Sequence, residues 1–275
     1  MNSTCEPKSN SLNSLKISLA FEIASARSDT VPAIDLPECT AMSQGYIGYH
    51  LQQGIATELR RQGMPWHVAT VVTQVEVDPA DPAFAAPSKP IGPFYDEETA
   101  RRLMADDPAL VLREDSGRGW RRVVASPMPA GIVERDSILN LLDHEFIVIA
   151  CGGGGVPVVR DEAGTLHGVP AVIDKDRTSA QLAEAVGADR LFILTAVDRV
   201  AVGWGTPHQR ELDELDVGTA LAYAAAGEFG AGSMLPKIEA AVAFVRGAPG
   251  RQAVICSLEN APLAMTGRSG TVVHA

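Results

Sequence analysis

Cysteine is sparse and scattered: Cys5, Cys39, Cys151 and Cys256 form no CxxC pair and have no histidine at ligand spacing. This excludes a sequence-encoded zinc site or disulfide framework and fits the reduced thiols of a cytoplasmic protein. Positive charge is short as well. With 23 Lys and Arg against 34 Asp and Glu, the net charge is −11, which argues against a broad nucleic-acid surface. An anionic ligand would have to be held locally, by a few cations and backbone amides. Long apolar runs are missing too, since no stretch reaches the ~18–20 residues of a membrane span. Near the N-terminus, Lys16 precedes a short apolar run and "ASA" (Ala24–Ala26), but Glu22 interrupts it, which argues against a secretory signal. His67, His144, His208 and His274 lack partners at metal-ligand spacing.

What is present is a chain of 275 residues, 46% of them hydrophobic, enough for one large core or two smaller ones. Its most unusual stretch is "FIVIACGGGGVPVV", Phe146 to Val159. Gly152, Gly153, Gly154 and Gly155 pack nothing, but they offer free backbone and bare N–H groups. Two readings follow: a turn between strands, or a loop that cradles a phosphate.

Along the chain, helical and extended patterns alternate. Ile47, Leu51, Ile55 and Leu59 recur every four residues in 40–63, which predicts a helix with that apolar face, ended by Gly63. "HVATVVTQVEV" (67–77) reads as one strand. Between 78 and 129 the prolines and an Arg-rich segment predict a protruding subdomain. Helices are expected at 134–145, 178–188, in "DVGTALAYAAAGEF" and in "SMLPKIEAAVAFVRG"; strands at "FIVIA", 190–198 and 251–257. Strands apolar on both faces and separated by helices imply a mostly parallel sheet covered on both sides. Ligands sit beyond the carboxyl ends of such strands, where "CGGGG", Asp198 and "SLEN" lie.

Two lysines stand where an anion would be held. "AVIDKDRTSAQ" sets Asp174, Lys175 and Asp176 before a helix whose Thr178 and Ser179 amides are expected to be free. "AGSMLPKIEAA" places Ser233 at an N-cap, followed by Met234, Pro236 in the first turn and Lys237. Helix N-termini attract phosphate, and a lysine adds a full charge. Phosphoryl transfer needs such cations, with carboxylates to orient them or hold Mg²⁺. Against that, each lysine is equally readable as an ordinary surface residue. The same ambiguity applies to Arg118, Arg121 and Arg122, as a phosphate-facing cluster or a solvated hairpin, while Trp120 reads as packing and Asp198 as pocket lining or a turn cap.

Taken in order, "SQGYIGY", "VATVVTQVEVDPADPAF", "PSKPIGPF", "EDSGRGWRRVVASP", "CGGGGVPVV", "VIDKD", "ILTAVD", "GSMLPKIEAA" and "AVICSLENA" resemble the carbamate kinases of the amino-acid kinase family. The resemblance implies a three-layer α/β/α sandwich around a mainly parallel sheet, with residues 26–275 as the kinase-like domain and 1–25 as a divergent segment. It implies a cytoplasmic homodimer that transfers a phosphoryl group reversibly between ATP and carbamate with Mg²⁺. Carbamoyl phosphate and ADP would yield ATP, as in arginine breakdown. It also implies that Lys175 and Lys237 contact the nucleotide phosphates and that Asp176 orients the lysines or the metal. Lys89 would reach the transferred group from the subdomain, beside a loop of Gly152–Gly155.

One family feature has no counterpart in this sequence. Carbamate kinases begin with a strand ending in Gly-Gly-Asn and later carry His-Gly-Asn-Gly-Pro, whereas the lone "HG" here, at His167–Gly168, continues as Val-Pro. The expectation is therefore a sheet without its first strands. A catalytically impaired, nucleotide-binding or dimerising relative is the alternative reading.

Overall fold

The computed structural model describes residues 18, 22–25, 30, 32–108, 110–115 and 117–275. Its first long element is the Leu36–Arg61 helix, opened by Pro37 and closed with Arg60 and Arg61 in its last turn, where cations suit the dipole. Of the apolar stripe expected from spacing, Leu59 is buried and Ile47 and Ile55 are half-buried, but the most buried face is a different one. Cys39, Thr40, Ser43, Gln44 and Gly48 face inward, while Leu51 is 48% exposed. Close packing is the reason: a Cβ on Gly48 would lie 2.1 Å from Thr70, so the helix crosses the strand there.

Strand β1 (His67–Thr70) pairs in parallel with β7 (Phe146–Ile149). The expected single strand 67–77 is broken, because β2 (Gln74–Val77) belongs to another sheet, ordered β6 (Pro129–Ile132), β2, β8 (Val156–Arg160), β9 (Leu166–Gly168). At the break, buried Thr73 is clamped by Gln44, whose Oε1 accepts from the Thr73 N–H at 2.9 Å and whose Nε2 donates to the Thr73 carbonyl at 3.1 Å. That side chain replaces the ladder bonds a continuous strand would make.

Between β2 and β6 the chain builds an antiparallel sheet of β3 (Lys89–Tyr95), β5 (Trp120–Val124) and β4 (Leu112–Glu114), with the Glu97–Asp106 helix. It joins the body through a small core of Leu36, Ile91, Val124 and Val172. The C-terminal sheet runs β10 (Arg190–Thr195), β14 (Gln252–Ser257), β15 (Thr271–His274), β13 (Glu214–Asp216). A short hairpin of β11 (Ala201–Val202) and β12 (Arg210–Glu211) stands beside it. Ile193, Ile255 and Val273 of this sheet pack with Ile238 and Phe244 of the Met234–Arg246 helix. The Lys175–Ala185 helix starts three residues earlier than its sequence pattern predicts, capped by Asp174.

The expected α/β architecture is present, but the strands do not form one continuous parallel sheet. Among the described residues, parallel strands pair as β1–β7, β2–β8, β10–β14 and β13–β15, with one isolated parallel bridge between Ala125 and Ala171. Among the described residues β7 has only β1 as a sheet neighbour and β10 only β14. A cleft is lined by Cys151 and Gly153, which follow β7, and by Phe192, Ile193 and Leu194 of β10, and Leu194 is 43% exposed.

Candidate active site

The site is assembled around the first turn of the Lys175–Ala185 helix. Asp174 holds that turn, one carboxylate oxygen accepting from the Asp176 N–H at 2.9 Å. Its other oxygen accepts from Lys89 Nζ at 2.8 Å, which brings a residue of β3 onto the helix N-terminus. Burial pushes the Asp174 carboxyl up, yet the Lys89 ammonium, the Asp176 N–H and Lys175 together outweigh it and hold it below the usual aspartate range. Asp176, itself buried, accepts from Lys237 Nζ at 2.7 Å and from Lys175 Nζ at 3.4 Å on the same oxygen. Lys237 is thus fixed, with its side chain 12% exposed, whereas Lys175 is 62% exposed.

Three ammonium groups therefore meet two carboxylates, a local surplus of one positive charge on a chain of net −11. They line one end of a cavity of about 430 Å³. The N-terminal ends of two helices, Lys175–Ala185 and Met234–Arg246, face it as well and add partial positive charge. Such an end is electrostatically suited to a phosphate chain.

The Lys89–Asp174 pair has a pH signature. A depressed folded-state pKa stabilises above the unfolded value of 3.8, and the stabilisation is lost as pH falls through the lower folded value. The thermal midpoint of the parent should exceed that of Lys89→Met near neutral pH. The gap should begin to close only as pH falls below about 3.8 and shrink further through the lower folded value. A gap that is constant down to pH 2 would show that the pair contributes no charge-dependent stability.

Other expected site residues fall differently. Ser233 and Met234 line the cavity, but the Ser233 hydroxyl donates to the Gly230 carbonyl at 3.5 Å and caps no helix amide. The Thr178 amide is not free, because with the helix beginning at Lys175 it donates to the Asp174 carbonyl. Asp198 lies outside the cavity lining, its carboxylate engaged by the Ser257 and Asn260 side chains, which draw its pKa down. Arg118 and Arg121 pair with Asp115 and lie over the Phe94 ring within the subdomain, whereas Arg122 ties the subdomain to Glu22 near the N-terminus.

The four glycines also fall outside the large cavity. A Cβ on Gly154 would sit 2.3 Å from the Ile173 carbonyl oxygen, and one on Gly155 would sit 2.3 Å from Val75. Both have positive φ, +110° and +83°. Their smallness first serves close packing of the loop under the helix start. Gly153 alone of the four lines a second cavity of about 330 Å³ with Cys151, Ser179 and Leu194, and that cavity shares Lys175 and Asp176 with the first. Burial pushes the Cys151 thiol up to about 12, so it remains protonated and unreactive at neutral pH.

The sequence pattern did not single out Arg199, Trp204, Glu228 or Phe229, which complete the far end of the large cavity. The signal available was the "GWG" turn, Gly203 to Gly205, following a strand.

Residues 89–257 match the amino acid kinase family. Carbamate kinase 2 of Staphylococcus aureus (strain Mu50) is 49% identical over 257 residues, which cover 94% of this chain and 82% of that protein. The structure of Giardia lamblia carbamate kinase bound to AMP-PNP aligns with TM-score 0.86 and 40% identity, covering 95% of this chain and 82% of that one. A crystal structure from Aeropyrum pernix K1 aligns with TM-score 0.87 and 41% identity over 95% of this chain and 83% of its own. The chain belongs to the amino acid kinase family, on its carbamate kinase branch.

Proposed function

We propose that this chain catalyses reversible phosphoryl transfer between carbamoyl phosphate and ADP, giving carbamate and ATP. The observation that carries this reading is the pair of cavities meeting at Lys175 and Asp176. The nucleotide occupies the larger cavity and carbamoyl phosphate the glycine side. An oxygen of the ADP β-phosphate forms the new P–O bond while the P–O bond to the carbamoyl oxygen breaks, and carbamate leaves with the electron pair. No proton needs to move, so no general base is required. Lys89, Lys175 and Lys237 neutralise charge on the moving group, and Asp174 and Asp176 keep the ammoniums aimed.

Among the described residues no group of three or more His, Cys, Asp or Glu is placed to hold a metal ion. We take Mg²⁺ to enter with the nucleotide, with Asp174 and Asp176 as the carboxylates that line the same cavity. We place the reaction in the cytoplasm, in the ATP-forming direction of arginine breakdown. Buried free thiols at Cys39, Cys151 and Cys256 support that compartment. We also take the working unit to be a homodimer. Support comes from Met42, Tyr46 and Tyr49, which lie 42, 44 and 57% exposed at positions that share one face of their helix.

A hexokinase-coupled assay with carbamoyl phosphate and Mg-ADP should show ATP formation. Lys237→Ala should weaken ADP binding about 10- to 100-fold, the loss of one charge-assisted contact. Absence of both turnover and nucleotide binding at millimolar ADP would overturn the reading.

A further inference from the structure

The large cavity has two chemically different ends. Lysines and aspartates make one; the other carries the rings of Trp204 and Phe229 with Gly230, and Arg199 and Glu228 beside them. Trp204 is 62% exposed, so its ring is open to a ligand in the cavity it lines. Among the described residues no aromatic ring or cation stacks on it.

Its position is nevertheless held firmly. Trp204 sits in the turn between β11 and β12, where the Gly203 N–H donates to Glu228 Oε2 at 2.8 Å. The Gly203 carbonyl accepts from the Thr206 N–H at 3.1 Å and from the Thr206 hydroxyl at 2.7 Å, and Gly205 N–H donates to Gln209 Oε1 at 3.0 Å. Gly203 has φ +63°, and a Cβ there would lie 3.0 Å from the His208 carbonyl oxygen. A flexible surface turn needs none of these ties. The Glu228 bond also joins the turn to the segment that forms the opposite wall, Phe229 and Gly230.

We infer that Trp204 is the base-stacking residue of this cavity: its indole lies against the purine face while the lysines hold the phosphates. The inference rests on the nucleotide reading of the cavity and adds a residue that governs binding rather than chemistry. A π-face contact makes no hydrogen bond to the base edge, so it secures any purine and does not itself separate adenine from guanine. Because the ring acts equally on bound substrate and transition state, its loss should raise KM and leave kcat in place.

The test compares Mg-ADP with Mg-pyrophosphate, which has the phosphates and no base. Trp204→Ala should weaken ADP binding about tenfold or more and leave pyrophosphate binding unchanged, and Trp204→Phe should retain most of the affinity. Lys237→Ala should weaken both ligands. In a Trp66→Phe, Trp120→Phe background, ADP should quench the remaining indole fluorescence and pyrophosphate should not. Unchanged ADP affinity in Trp204→Ala, with Lys237→Ala still impaired, would overturn the stacking role alone. Failure of the parent to bind ADP would overturn the nucleotide reading and the inference together. Unchanged pyrophosphate binding in Trp204→Ala also shows that the variant is folded.

Discussion

Lys89→Ala should lower ATP formation about 10²- to 10³-fold while ADP affinity changes by no more than about threefold. The asymmetry follows from where the side chain comes from. Lys89 opens β3, on the subdomain sheet, and crosses to Asp174 at the N-terminus of the Lys175–Ala185 helix. Lys175 and Lys237 remain to hold the nucleotide's phosphates when it is removed. On the proposed reading, what is lost is the cation that the subdomain sheet contributes to the cavity shared with Lys175 and Lys237, where it would meet charge developing on the moving phosphoryl group. Preorganised charge of that kind acts more strongly on the transition state than on bound ADP. Initial rates at saturating carbamoyl phosphate, together with a direct ADP titration, separate the two effects. Equal loss in both measurements, or no loss in either, would remove Lys89 from the reaction path.

The second large effect concerns stability. Asp176→Ala should destabilise the fold by about 3 kcal/mol, because removing one partner of a buried ion pair leaves the other charge uncompensated. Lys237 depends on that carboxylate: its ammonium is 2.7 Å from Asp176 Oδ2, and the two side chains are only 12 and 10% exposed. The penalty grows because Lys237 lies near helix N-termini, whose partial positive charge repels it further. A phosphate in the cavity supplies the missing negative charge. Mg-ADP should therefore raise the thermal midpoint of Asp176→Ala by more than it raises that of the parent at equal saturation. Urea titrations measure the loss of stability, and thermal unfolding with and without Mg-ADP measures the ligand shift. A variant as stable as the parent, or one that ADP stabilises less, would mean the lysines do not rely on Asp176.

The sequence by itself predicted many of the elements and singled out candidate residues for the site. β-branched and apolar runs predicted β7, β10 and β14, and the Pro236 signal predicted the start of the Met234–Arg246 helix. "VIDKD" and "SMLPK" pointed to Asp174, Lys175, Asp176 and Lys237, since local spacing sets a helix N-terminus and the charges beside it. Tertiary structure decided which of these groups meet. Lys89 joins Asp174 across 85 positions, and Lys237 joins Asp176 across 61, separations on which residue spacing carries no information. Packing also overrode local pattern. Gln44 and Gly48 face inward on a helix whose periodicity favoured Leu51, because Gly48 allows the approach to Thr70 and Gln44 satisfies the buried backbone of Thr73. The same holds for the glycine run, where Gly154 and Gly155 answer to Ile173 and Val75 before any ligand. Trp204 faces the cavity because a short hairpin folds back onto Glu228, a long-range bond that no composition or period encodes.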